Sequence, residues 1–181
     1  MTARVALTYQ DYAALPDDGK RYEVHDGELF EMSAPTPQHQ MVSANLFTVL
    51  NAYVRVRNLG LVLYAPLDVI LVDTTVLQPD LVYLETGRLA AVSRRGVEGP
   101  PTLVVEILSP STGTTDRTTK RGLYARYSVP YFWLVDPEGR VIESYVLRGG
   151  EYAVAVRASG TSPVDLPPFT DLGLVPSSLW P

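Results

Sequence analysis

Residues 21–32, RYEVHDGELFEM, alternate between polar and apolar positions on either side of Asp26-Gly27. That pattern predicts a β-hairpin, since Asp-Gly suits the tight turn joining two such runs. Upstream, Thr8 stands three residues before Asp11, a capping-box pattern that predicts a short helix ending before Pro16. After Thr36-Pro37 the period changes: Val42, Leu46, Val49, Leu50 and Tyr53 recur at steps of three and four until Asn58 and Gly60. A long helix follows, with Pro37 in its first turn and Gly60 just past its end.

Beyond it, residues 61–72 read as one apolar strand, 80–84 as a short strand after Pro79, and 90–101 as a loop. The run TLVVEIL (102–108) is aliphatic except for one charge, which places it at the centre of a sheet covered on both faces. A polar turn over 109–113 leads into a second helix over 115–127, stopped by Pro130. A buried strand over 131–135, a turn over 136–139 and a hairpin over 141–156 about Gly149-Gly150 complete the pattern. The proline-rich tail carries Leu166, Phe169, Leu172, Leu174 and Trp180, which predicts a segment packed on the body. The order of elements is that of an α/β sandwich with a mixed sheet.

Composition narrows the function. With 181 residues, 46% of them hydrophobic, the chain suits one domain over 1–181 with a filled core. It has no cysteine and two histidines, so a thiolate or His-rich metal site is excluded and any metal would be a hard cation on carboxylates. No signal-peptide pattern or long apolar run occurs, and a soluble cytoplasmic protein without membrane contact is expected. A formal charge of −5 argues against a surface that coats nucleic acid throughout, although Arg94-Arg95 or Lys120-Arg121 could form a local basic patch.

The anomaly in the apolar pattern is Glu106. An ionised carboxylate in a central strand requires a cation, a hydrogen-bond network or a raised pKa. Asp80, at the start of another apolar strand, is a second acid of the same kind. If the two strands are neighbours, both acids meet at one end of the sheet, and with the carbonyl of Ile107 they form an incomplete oxygen shell suited to Mg²⁺ or Mn²⁺. Phosphodiester hydrolysis is the natural chemistry of such a site, with a nearby ammonium stabilising charge. Lys120 is the candidate amine, because Asp116, Lys120 and Tyr124 are spaced four apart on one helical face. Two plainer readings stand beside this one: Glu106 in a structural ion pair with Lys120 or an arginine, and Lys120 in a surface pair with Asp116.

Pro79-Asp80, then Glu106-Ile107-Leu108, then Lys120 resemble the P-D…(D/E)-x-K nuclease superfamily. The segments RYEVHDGELFEMSAPTPQHQ (21–40), QPDLVYL (78–84), PTLVVEILSPSTGTTDRTTK (101–120) and YARYSVPYFWLVDP (124–137) more specifically resemble the Uma-two family of restriction-endonuclease-like proteins. The resemblance implies a restriction-endonuclease-like α/β fold, a mixed central sheet flanked by helices with a hairpin near each end, and a Mg²⁺- or Mn²⁺-dependent DNA endonuclease. The superfamily's lysine stands two residues after the acid, where this chain has Leu108; the resemblance implies that the amine has moved to Lys120. A catalytically inactive binding or assembly domain is the alternative. Glu23 and His39 match the family's early motif. Burial statistics for acids favour an exposed Glu23, and His39 is expected near the start of the first long helix, either touching substrate or held by a local hydrogen bond. Asp68 interrupts the 61–72 run and is a candidate supporting partner. Exposed aromatics in YSVPYFW and the tail would favour a homodimer.

Overall fold

The computed structural model describes residues 5–109 and 116–181. Its first element, α1 (Tyr9–Ala13), begins with the expected capping box: the Thr8 side chain accepts from the Asp11 N–H while Asp11 accepts from the Thr8 N–H. The hairpin follows as β1 (Arg21–His25) and β2 (Glu28–Met32). Asp26 and Gly27 both take positive φ, 50° and 84°, as its two-residue turn demands. The long helix α2 (Pro37–Val56) is capped by the Thr36 side chain, which accepts from the His39 N–H, and has Pro37 in its first turn.

The predicted 61–72 strand is two strands, β3 (Gly60–Tyr64) and β4 (Val69–Val72), which belong to different sheets. Pro66 lacks the N–H that a continuous ladder needs, so the chain leaves one sheet there and joins the other. Thr75–Leu77 forms a further strand, β5, and the next is β6 (Leu81–Glu85), which Asp80 immediately precedes. The expected 90–101 loop holds a small hairpin, β7 (Val92–Ser93) and β8 (Gly96–Glu98). The central strand β9 spans Leu103–Ile107, a π-helical turn spans Asp116–Lys120, and α3 spans Arg121–Arg126. Of the turn expected over 109–113, residues 110–113 lie outside the described residues, as does the Asp116 side chain. Strand β10 (Tyr131–Asp136) and the hairpin β11 (Val141–Arg148) and β12 (Glu151–Ala158) complete the strands.

The expected mixed sheet is therefore two mixed sheets, ordered β2-β1-β5-β4-β8-β7 and β12-β11-β10-β9-β6-β3. In the second sheet β9 is central, parallel to β10 and antiparallel to β6. One face of that sheet packs on α2 and the tail through Leu46, Leu50, Val105, Ile107, Trp133, Leu166 and Phe169. Its other face packs on the first sheet and α3 through Val82, Val104, Leu134, Leu77, Leu123 and Tyr124. The first sheet's outer face carries a smaller cluster of Val24, Ile70 and Val76 with Tyr9 and Tyr12 of α1. The tail is packed as expected, with Leu166, Phe169, Leu174 and Leu179 buried. Of the aromatics invoked for a homodimer, Phe132, Trp133 and Phe169 are core residues, whereas Tyr127, Tyr131 and Trp180 are half-buried. Among the described residues no helix is long and apolar enough to cross a membrane.

Because side chains alternate along β9, Val105 and Ile107 face α2 while Val104 and Glu106 face the first sheet. The anomalous carboxylate is thereby delivered between two sheets.

Candidate active site

Glu106 is buried, and its Oε1 accepts from Lys120 Nζ at 3.0 Å and from the Tyr124 hydroxyl at 2.6 Å. Lys120 and Tyr124, four residues apart, thus meet on one carboxylate. Lys120 is 1% exposed and also lies 2.9 Å from Oε1 of Glu23 on β1. The expectation of an exposed Glu23 is overturned: it is 0% exposed, because both faces of β1 are covered. One ammonium thus joins a carboxylate from each sheet, and neither acid is left buried without a partner. Lys120 consequently contributes nothing to a basic surface patch. Arg95, in the other candidate pair, bridges to Glu98 and lies over the Tyr9 ring.

Glu23 also accepts the Gln78 N–H at 2.7 Å, and its Oε2 lies 2.8 Å from Nε2 of His25. Burial, the largest single influence, pushes its carboxyl pKa up. The Lys120 ammonium and the hydrogen bonds from His25, Gln78 and Lys120 outweigh it and hold the group down at about 2. Gln78 is fixed in turn by Asp68, whose Oδ1 accepts from its side-chain amide at 2.9 Å and from the Tyr12 hydroxyl at 2.8 Å. Asp68 therefore supports the site through Gln78, from the connection between β3 and β4 rather than from within a strand. Gln78 escaped the sequence reading; its position two residues before Asp80 was the available signal.

Asp80 occupies the mouth of this arrangement. Its Oδ2 accepts the Ile107 N–H at 2.7 Å and lies 3.2 Å from His39 Nε2. A carboxylate here replaces the backbone acceptor missing where the β6–β9 ladder ends, which ties Asp80 to the residue after Glu106. His39, the third residue of α2, approaches from the helix N-terminus, where the helix dipole favours an anion. The acceptor role of Asp80 requires a hydrogen on His39 Nε2. The side chain of Asp80 retains 15% exposure, against 3% for Glu106.

His39, Asp80, Glu106, Ile107, Lys120, Ser109 and Arg21 line one narrow cavity of about 30 Å³. A volume of that order holds a water or two, or an ion, since each water needs roughly 10–15 Å³. Two wider clefts share residues with it. One, of about 510 Å³, shares Arg21, Pro35, His39 and Asp80; the other, of about 450 Å³, shares His39 and Ser109.

Among the described residues no three His, Asp or Glu side chains form a ready metal cage. The groups that would serve as donors are two carboxylates of unequal exposure, Asp80 and Glu106, and a strand-end carbonyl at Ile107. This set fits a cation that keeps waters and takes substrate oxygens, the habit of Mg²⁺, rather than one that needs an all-protein cage.

The architecture that carries these groups is shared with a solved structure. It matches a crystal structure described as a "putative nuclease belonging to DUF820" from Anabaena variabilis, with a TM-score of 0.74 over 96% of this chain and 97% of the other; at 19% identity the likeness shows the fold. The model of the Uma2 family, described as "Putative restriction endonuclease", matches residues 9–177, and the chain belongs to that family. None of the curated proteins matches it.

Proposed function

We propose that the chain is a Mg²⁺- or Mn²⁺-dependent endonuclease that hydrolyses DNA phosphodiester bonds, with Asp80, Glu106 and the Ile107 carbonyl as cation ligands. The observation that carries this reading is the convergence of Asp80, Glu106, Lys120 and His39 on one cavity that joins two open clefts. When bound, the cation supplies charge stabilisation to the phosphate under attack. Asp80 is held in place by the Ile107 N–H and His39, so its other oxygen can face a ligand without losing orientation. Lys120 and Tyr124 fix the Glu106 carboxylate, and the Lys120 ammonium offsets charge that develops on the phosphate. His39, at the junction of the clefts, is placed to hold a water or to pass a proton between that water and solvent.

Plasmid and single-stranded DNA incubated with Mg²⁺ or Mn²⁺ test this. Wild type should cut, whereas folded Glu106→Ala and Lys120→Ala should not. Equal cutting by all three would overturn the reading.

One observation favours a second reading, a nuclease fold that binds without cutting. Lys120 is held by Glu23 as well as by Glu106, so the burial of Glu106 is accounted for without a metal. Cutting by none of the proteins, with nucleic-acid binding retained, would support it.

A further inference from the structure

The wider cleft next to Asp80 differs in character from the cavity it adjoins. It is lined by Phe47, Tyr64, Ala44 and Pro66, with polar groups from Gln40 and Ser43. Phe47 and Tyr64 meet edge to face, with ring centroids 4.7 Å apart. Tyr64 is 60% exposed, a large aromatic surface left in water. The volume, about 510 Å³, lies within the usual range for small-ligand sites. Since the cleft shares Arg21, His39 and Asp80 with the cavity, whatever fills it lies beside the candidate cation site.

Charge decides between kinds of nucleic acid. Duplex binding draws its affinity from many Lys and Arg contacts to phosphate. Here the formal charge is −5, Lys120 is buried between two glutamates, and Arg117, which lines the opposite cleft, is bound to Asp136 at 2.9 Å. An exposed tyrosine backed by a half-buried phenylalanine supplies affinity in another way, because unpaired bases stack on such a ring.

We infer that this cleft binds an unpaired nucleobase of a single DNA strand, stacked on the exposed face of Tyr64, with Phe47 against that ring's edge and Asp80 alongside. The inference rests on the nuclease reading of the site and names its substrate class. The polar edge of the base meets Gln40 and Ser43, and Arg21 faces the strand's phosphate where the cleft and the cavity join.

The test measures binding by fluorescence anisotropy in EDTA, so that cutting plays no part. The probes are a labelled thymidine oligomer of about twelve nucleotides, an abasic strand of equal length and the same oligomer annealed to its complement. Wild type should hold the thymidine strand about tenfold more tightly than either of the others, as one stacked base provides. Tyr64→Ala should abolish that preference, and Tyr64→Phe, which keeps the ring, should retain it. Equal binding to thymidine and abasic strands, tighter binding to duplex, no binding at all, or a preference that survives Tyr64→Ala would each overturn the inference. Base-dependent binding without metal-dependent cutting would leave the cleft assignment intact and remove the nuclease reading; cutting without base preference would do the reverse.

Discussion

The interior cluster of Glu23, Lys120 and Glu106 and the rim pair of Asp80 and His39 use similar chemistry in opposite ways. In the interior, each charged side chain is 3% exposed or less and each has a partner within about 3 Å, so folding itself depends on the set. At the rim, Asp80 and His39 keep side-chain exposures of 15% and 11% and meet at 3.2 Å. Solvent can stand in for a lost partner there. The same residue types thus serve the fold where water is excluded and are available to a ligand where it is not.

The sharpest way to break this contrast is Lys120→Ala. It leaves two buried carboxylates without their ammonium and should cost about 3–5 kcal/mol of stability, measured by urea unfolding. A loss below about 1 kcal/mol would show that the interior is wetter than described. Asp80→Asn should do the opposite. Its amide oxygen still accepts the Ile107 N–H, so the melting temperature should hold, while DNA cutting falls at least about a hundredfold.

Acid resolves the interior from the rim in a third way. The Glu23 carboxyl lies at about 2 in the folded chain against an ordinary 4.5. Its contribution is therefore complete above pH 4.5 and is lost as pH falls toward 2. Between about pH 5 and about pH 3, wild type should lose about 2 kcal/mol more than Glu23→Gln. Equal losses would mean that Glu23 is not held ionised by Lys120. Smallest of the four, Tyr124→Phe removes one hydrogen bond to Glu106 and should cost about 1–2 kcal/mol, with Lys120 still in place.

What the sequence disclosed follows the same division between local and distant causes. Local chemistry was legible: the Thr8 capping box, the Asp26-Gly27 turn, the α2 periodicity and the charge inside β9 each depend on neighbours in sequence. Glu23 was not, because its burial depends on Lys120, nearly a hundred residues further on, and on the second sheet packed over the same face of β1. The split between β3 and β4 was hidden by continuous apolar character on both sides of Pro66, which periodicity alone reads as one strand. Of the site, Glu106 declared itself by its setting, whereas Asp80 and His39 acquire meaning only where the end of β9 and the start of α2 meet.

In the proposed function the rim carboxylate makes a metal centre of an otherwise structural charge cluster. Calorimetric titration of Mn²⁺ into wild type and into Asp80→Asn, with thermal melts of both, tests it most directly. Wild type should bind saturably and Asp80→Asn not at all, with matching melting temperatures without metal. Undiminished binding by Asp80→Asn, or none by wild type, would contradict it.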